Sequence, residues 1–179
     1  MLLTLPDGTR VHVRPIEPGD KQLLAEGLRR LSRQSAFRRF MSPKVSFSQA
    51  ELRYLTEVDQ HDHIALVAVD DACGLVAVAR CVRVAPDTAD FAIVVGDPWQ
   101  GMGLGRRLSL ELARRAQAAG VERISATMLA DNRPAFAIMR GFGRPFEHDE
   151  MSAGVREIVA RLGAEEALKP APAAPIHLV

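Results

Sequence analysis

Residues 90–107 read DFAIVVGDPWQGMGLGRR, and this stretch decides the fold class. It begins inside an apolar, β-branched run that predicts a strand over Thr88–Val95. Leucines spaced by four residues then predict a helix over residues 103–119, which Gly120 ends. Between the strand and the helix lie three glycines: Gly101, Gly103 and Gly105. Because glycine has no Cβ atom, this spacing indicates a place where the backbone closely approaches a ligand.

A glycine loop that opens on a helix N-terminus favours an anion, because the unpaired N–H groups and the helix dipole both attract negative charge. Four arginines of the predicted helix add positive charge: Arg106, Arg107, Arg114 and Arg115. The Walker pattern GxxxxGK[ST] does not occur in the sequence. The dinucleotide pattern GxGxxG also fails, since Arg106 stands where its third glycine belongs. A tight turn without a ligand is the alternative interpretation of the spacing alone.

The sequence on both sides of this unit predicts further strands and helices. Before it come a strand over Arg10–Pro15, a helix that Asp20 caps, short helices over 35–41 and after Ser48, and strands over 64–69 and 74–84. After it come a strand over 122–129, a helix over 132–140 and a strand over 155–162. We therefore expect one α/β (α+β) domain over residues 1–162, with a mixed central sheet of about six to seven strands flanked by helices. Residues 163–179 are rich in alanine and proline, which predicts a flexible tail.

The composition excludes several classes of protein. The chain has 179 residues and a net charge of +1, so it lacks the basic excess of a general nucleic-acid binder. It has no apolar run of membrane-spanning length and no basic leader at its N-terminus, so we expect a cytoplasmic protein without a membrane partner. Cys73 and Cys81 form no CxxC pair, and His61 and His63 have no third ligand nearby in sequence. The sequence therefore predicts no metal site.

The residues QGMGLG at 100–105 match the Q/R-x-x-G-x-G/A signature of the GNAT superfamily of N-acetyltransferases. Two further segments resemble the same superfamily in the same order: NRPA at 132–135 resembles a helix start, and Gly141-Phe142 resembles its closing pair. The opening of the chain, through VRPI at 13–16 and Arg39-Phe40, resembles the acetyltransferase domain of bacterial protein lysine acetyltransferases. The resemblance covers about residues 10 to 162.

This resemblance implies a domain that moves an acetyl group from acetyl-CoA to a primary amine by direct attack. The acceptor would be a protein lysine or a small-molecule amine. The residues that would bind acetyl-CoA are Val94, Val95, Gln100, Gly101, Met102, Gly103, Leu104, Gly105, Arg106, Asn132 and Ala135. The loop N–H groups would hold the pyrophosphate, and backbone groups at Val94 and Val95 would pair with the pantetheine arm like an added strand. For Asn132, a plain helix cap is the alternative.

The acceptor amine must lose a proton before it attacks. A lysine with a pKa near 10.4 is neutral in about one molecule in a thousand at neutral pH, a cost of roughly 4 kcal/mol. The lysine acetyltransferases that this chain resembles have a glutamate at the start of the fourth strand. Asp90 takes that place here and would be the general base, directly or through water. A solvated residue at a strand end is the alternative. The helix after the fifth strand contains no tyrosine to act as the acid, and we expect Tyr54 to pack elsewhere.

The sequence is compatible with other functions. The missing tyrosine and the aspartate in place of a glutamate are compatible with a non-catalytic acyl-CoA-binding regulatory module. A nucleotide-binding domain is a weaker alternative, and the sequence leaves a homodimer open. The arginines between Arg29 and Arg39 predict a solvated helix face, with docking of an acidic partner as the alternative.

Overall fold

The computed structural model describes residues 1–143 and 145–163. Within them lie eight strands: β1 (Leu2–Thr4), β2 (Arg10–Pro15), β3 (His63–Asp70), β4 (Gly74–Ala85), β5 (Thr88–Val95), β6 (Arg123–Leu129), β7 (His148–Ser152) and β8 (Val155–Arg161). The same residues form five α-helices: α1 (Lys21–Arg30), α2 (Arg33–Phe40), α3 (Gln49–Thr56), α4 (Leu104–Ala118) and α5 (Arg133–Phe142). Most of the predicted tail, residues 164–179, lies outside the described residues, so its flexibility and the domain boundary stay predictions.

The eight described strands form one sheet in the order β1-β2-β3-β4-β5-β6-β8-β7. Strands β5 and β6 are parallel, and the other neighbours are antiparallel. This mixed sheet and its helices confirm the predicted fold class. The count of eight exceeds the predicted six to seven because β1 and β7 were not predicted. Strand β1 has three residues, too few for a pattern, and all five residues of β7 are exposed, so neither shows a clear alternation.

Helices cover both faces of the sheet. On one face, α4 and α5 bury the larger apolar cluster, in which Leu104, Leu108 and Leu112 are at most 1% exposed. On the other face, α1 and α3 cover a smaller cluster that includes Leu24 and Leu52. Burial of one leucine side chain contributes roughly 2 kcal/mol, so the leucine repeat that predicts α4 also holds this helix on the sheet. Helix α4 has 15 residues, and no described helix has the length and apolar character needed to span a membrane.

Serine residues are the N-caps of two of the helices. Ser48 and Glu51 form the predicted capping box at the start of α3. Helix α2 begins at Arg33, two residues before the predicted start, because the Ser32 side chain accepts a hydrogen bond from the Ser35 N–H. A serine that accepts from the third residue after it satisfies one of the unpaired N–H groups of the first turn. The start of α2 is therefore set by Ser32.

Asp20 precedes α1, but its carboxylate makes no cap hydrogen bond, so the predicted cap is wrong. The Arg14 guanidinium donates to both carboxylate oxygens of Asp20, at 2.7 and 2.6 Å, and the Glu17 N–H donates at 2.8 Å. Burial alone would raise the pKa of Asp20, but these hydrogen bonds outweigh it and hold the pKa below its usual range. The Arg14–Asp20 ion pair joins the end of β2 to the start of α1.

Candidate active site

Strands β5 and β6 separate after a short parallel pairing. Their register joins residues 88–90 to residues 123–125 and ends there. Beyond Asp90, β5 continues to Val95 against β4, while β6 pairs with β8. Among the described strands, none therefore lies beside this edge of β5 beyond Asp90, and a gap opens along it.

The backbone of β5 presents hydrogen-bonding groups to this gap. The Gly96 N–H donates to the Val76 carbonyl of β4 at 2.8 Å. Because backbone groups point alternately to the two sides of a strand, the N–H and C=O of Val95 face away from β4 and into the gap, whereas those of Val94 face β4. The Gln100 side-chain amide donates to the Val95 carbonyl at 3.0 Å. By the same alternation, the N–H groups of Val95 and Ile93 are the backbone donors that an added strand would meet here. The predicted backbone pairing of the pantetheine arm at Val94 is therefore wrong, because the backbone groups of Val94 are directed to β4.

The glycine loop closes the gap at the N-terminus of α4. Gly101 and Gly103 have φ angles of 76° and 78°, a region that side chains other than glycine rarely adopt. Gly103 is the N-cap of α4, and no side chain caps the helix there. No atom of the described residues would lie within 4 Å of a Cβ atom added to either glycine, so the loop is open beside the first turn of α4, whose N–H groups have no intrahelical partner. A helix end of this shape is suited to an anion.

A groove of about 420 Å³ follows the free edge of β5 to this loop. Nine of the eleven residues predicted to bind acetyl-CoA line it: Val94, Val95, Gln100, Gly101, Gly103, Gly105, Arg106, Asn132 and Ala135. The structure does not bring the other two side chains to the groove. Leu104 is fully buried in the core, and Met102 packs against the same core. Leu104 reaches the loop with its N–H alone, as the first residue of α4.

Asn132 lines the groove and also caps a helix. Its Oδ1 atom accepts a hydrogen bond from the Ala135 N–H at 3.3 Å, at the start of α5. The cap uses only the oxygen of the side-chain amide, so the two Nδ2 hydrogens stay available to a ligand. The two roles that the sequence left open for Asn132 are therefore compatible.

Asp90 lies at the last position where β5 pairs with β6, and the gap begins there. It lines a second cavity, of about 290 Å³, together with Arg39 and Thr127. The Ser125 hydroxyl donates to Asp90 Oδ1 over a long 3.4 Å. Burial raises the pKa of the Asp90 carboxyl group, and the Ser125 hydroxyl and the Arg39 guanidinium offset part of that rise. A carboxylate with a raised pKa is a better proton acceptor than one in water.

The groove and the Asp90 cavity adjoin. Five residues line both of them: Arg38, Arg39, Ile93, Asn132 and Ala135. The anion-binding helix end and the Asp90 carboxylate are therefore reached from one connected cleft, which begins where β5 and β6 separate. A long ligand held at the α4 end could place its other end beside Asp90.

Two residues of this cleft were not predicted to belong to the site, Ser35 and Arg39. The predicted solvated helix face is wrong for Arg39, which is partly buried; burial lowers the pKa of its guanidinium, and Asp90 opposes that change. Ser35 accepts from the Gln100 side-chain amide at 3.1 Å and donates to Asp97 Oδ1 at 2.7 Å, which ties α2 to the glycine loop. The sequence offers one local indication of these positions: Ser35 and Arg39 both lie on the short helix that Ser32 caps.

The other reactive side chains lie outside the cleft. Tyr54 is 58% exposed on α3, with its ring centroid 5.0 Å from that of His63. Asp62 pairs with Arg83 at 2.7 Å and with His61 at 2.9 Å. Among the residues that the structure describes, no three metal-ligating side chains gather in one place.

A comparison with known families assigns the part of the chain that forms this cleft to a family. The sequence model of the Acetyltransferase (GNAT) family matches residues 28–143, more than half of the chain. The chain belongs to the GNAT family. The matched region of the GNAT chain contains β5, the glycine loop, α4 and α5, and thus the whole cleft.

Individual relatives agree with this assignment. Acetyltransferase Pat of Mycolicibacterium smegmatis is 34% identical to the GNAT chain over 154 residues, which cover 84% of the chain and 46% of the relative. The crystal structure of the GNAT domain of S. lividans PAT is similar with a TM-score of 0.81 and 25% identity, over 90% of the chain and 96% of that structure. The cAMP-binding acyltransferase from Mycobacterium smegmatis is similar with a TM-score of 0.65 and 29% identity, over 96% of the chain and 50% of that structure. The GNAT chain thus spans about half the length of the Pat relative.

Proposed function

We propose that this GNAT chain transfers an acetyl group from acetyl-CoA to a primary amine, with a protein lysine or a small-molecule amine as the acceptor. The observation that carries the proposal is the connection between the groove at the α4 N-terminus and the Asp90 cavity. The Pat relative is itself named an acetyltransferase, which supports the reaction class. A cytoplasmic location and a homodimer stay predictions.

The groove residues fit acetyl-CoA in shape and in hydrogen-bonding groups. The unpaired N–H groups of the first turn of α4 would hold the pyrophosphate, with Arg106 beside them. The Val95 N–H would pair with an amide of the pantetheine arm. A Cβ atom at Gly105 would lie 3.4 Å from Val95 Cγ2, so glycine there keeps α4 close to β5. When bound, acetyl-CoA supplies the activated acetyl thioester and a thiol leaving group.

Asp90 would accept the proton of the acceptor amine at its carboxylate. Burial raises the pKa of this group and so reduces the pKa difference between base and amine. The Ser125 hydroxyl and the Arg39 guanidinium would hold the carboxylate toward the cavity. Because aspartate is one methylene shorter than glutamate, a water molecule between Asp90 and the amine would complete the path of the proton.

A non-catalytic acyl-CoA-binding module is the second candidate. One observation favours it: none of the described residues that line either cavity is a tyrosine that could protonate the leaving thiolate. Such a module would bind acetyl-CoA in the same groove without turnover.

A CoA-release assay separates these two functions. We expect acetyl-CoA to raise the melting temperature, since a ligand at about one hundred times its Kd stabilises the folded state by about 2.7 kcal/mol. We also expect CoA release with at least one acceptor among a lysine peptide, a free amino acid, a polyamine and an aminoglycoside. Stabilisation without CoA release would favour the module. Stabilisation by ATP or NAD in place of acetyl-CoA would reject both.

A further inference from the structure

Arg80 is a buried cation in β4. It is 6% exposed, and the register that pairs Val82 with Asp90 puts its side chain on the same face of the sheet as Asp90. Its Nη1 group donates to the Leu55 carbonyl at 3.2 Å and to His63 Nε2 at 3.0 Å. Within the part of the chain that the structure describes, its Nε and Nη2 groups have no hydrogen-bond partner.

No carboxylate of the described residues pairs with the Arg80 guanidinium. Burial, and then the nearby Arg39 guanidinium, lowers the pKa of Arg80 to about 10, so the group remains a cation at neutral pH. Burial and the charge of Arg80 lower the pKa of His63 to about 4, so His63 is neutral and adds no negative charge. A buried charge without a partner of opposite sign costs several kcal/mol. An anionic ligand would offset that cost.

Arg80 and Arg39 line a cavity of about 50 Å³ beneath α1 and α3. They are the charged side chains among its described lining residues. The apolar lining side chains include Leu24, Leu28, Leu31, Phe40, Phe47 and Leu55. A single water molecule requires about 10–15 Å³ of such a cavity, so the cavity has room for a carboxylate group. Its chemistry, two guanidinium groups in an apolar enclosure, is suited to a single anionic group.

Arg39 connects this cavity to the proposed active site. It also lines the acetyl-CoA groove and the Asp90 cavity, and its guanidinium acts electrostatically on the Asp90 carboxylate. A ligand group held between Arg39 and Arg80 would therefore lie on one side of the Arg39 side chain, and the Asp90 cavity, where the amine would react, lies on its other side.

We propose that Arg39 and Arg80 bind a carboxylate of the acceptor, so that the substrate is an amine that also carries a carboxylate group. The inference rests on the proposed function and narrows its acceptor class. Guanidinium groups bind carboxylates through two parallel hydrogen bonds, and the apolar walls strengthen such bonds by excluding water. The carboxylate has two sources, a free amino acid or an acidic side chain beside the lysine of a peptide. A polyamine, which carries only positive charge, would be repelled.

Matched pairs of acceptors test this proposal. One pair is L-lysine and its decarboxylated form, cadaverine; the other is two peptides whose lysine is flanked by glutamate or by glutamine. We expect kcat/KM to favour the carboxylate member of one pair by about 10- to 100-fold, and the pair that shows it identifies the source. In Arg80→Met this ratio should fall to about one, in a protein that still folds, since an apolar residue often replaces a buried charge without loss of stability. Arg53→Met, on the exposed surface of α3, is the control and should keep the wild-type ratio.

Calorimetric titration of the same compounds in the presence of CoA measures binding without turnover. Turnover with ratios near one in both pairs would overturn the carboxylate site and leave the acetyltransferase activity standing. A preference that persists in Arg80→Met would also overturn it. Carboxylate-dependent binding that Arg80→Met abolishes, without acetylation of any amine, would support the site and reject the proposed activity.

Discussion

Asp90→Asn should lower kcat by about 100-fold or more at neutral pH, because a positioned general base contributes about 10²–10⁴ to the rate. The asparagine amide has a similar shape and can still accept the Ser125 hydrogen bond, but it cannot take a proton from the amine. The affinity for acetyl-CoA should stay unchanged, since Asp90 does not line the groove at the α4 N-terminus. Steady-state kinetics at saturating acetyl-CoA and calorimetry of acetyl-CoA binding measure the two quantities.

Asp71→Asn is the matched control for this variant. Asp71 lies exposed in the turn between β3 and β4, and its substitution should leave kcat unchanged. Loss of folding is not the expected cause of a low kcat. The pKa of Asp90 is higher in the folded state than in the unfolded state, so the folded state binds more protons at pH values between the two. The free energy of unfolding therefore falls as the pH rises through this range. Asparagine removes this cost, so the melting temperature should equal or exceed that of the wild type. Equal kcat values for the two variants would contradict a base at Asp90.

The pH profile gives a second readout of Asp90. In the wild type, kcat/KM should rise first as Asp90 ionises, above the usual aspartate range because burial raises its pKa, and again as the amine loses its proton. The first rise should be missing from Asp90→Asn, and the second should persist. A variant that keeps both rises would show that another group is the base.

Gly103→Val should weaken acetyl-CoA binding by about 100-fold, which corresponds to about 2.7 kcal/mol. The valine side chain would fill the open space beside the first turn of α4, where no atom of the described residues lies within 4 Å of an added Cβ. A β-branched residue at a φ of 78° would also strain the N-cap of α4, by about 1–2 kcal/mol. Calorimetry of acetyl-CoA binding measures the change in Kd.

Gly8→Val separates backbone strain from loss of the binding site. Gly8 has a φ of 88° and equally open surroundings, but it lies in the turn between β1 and β2, away from the groove. Both variants should lose a similar amount of thermal stability, and Gly103→Val alone should lose affinity for acetyl-CoA. Tight binding by both variants would show that the pyrophosphate is not held at the α4 N-terminus.

The fold class was predictable because its deciding elements carry local signals. Leu104, Leu108 and Leu112 have helical spacing and occupy one buried face of α4. Gly103 has the positive φ that a glycine between a strand and a helix indicates. Strand β7, whose five residues are all exposed, carries no such signal, because backbone pairing with β8 and the Asp149–Arg156 ion pair hold it and no apolar side chain of it is buried.

The charges of the site could not be predicted, because they depend on partners from distant segments. Arg39 comes from α2 and faces Asp90 of β5, so its burial follows from how α2 lies on the sheet. Asp20 has the sequence position of a helix cap, but Arg14 binds its carboxylate instead. Arg80 was not predicted as a site residue either, although a single cation inside the apolar run VAVARCV at 76–82 is a local signal of a buried charge.

A crystal structure of the chain with bound CoA tests the central claim, that the gap between β5 and β6 holds the cofactor beside Asp90. We predict pyrophosphate oxygens within about 3 Å of the first-turn N–H groups of α4. We also predict a pantetheine amide paired with the Val95 N–H, and the thiol directed to the Asp90 cavity. A pyrophosphate bound away from the glycine loop, or a thiol outside the Asp90 cavity, would contradict the account.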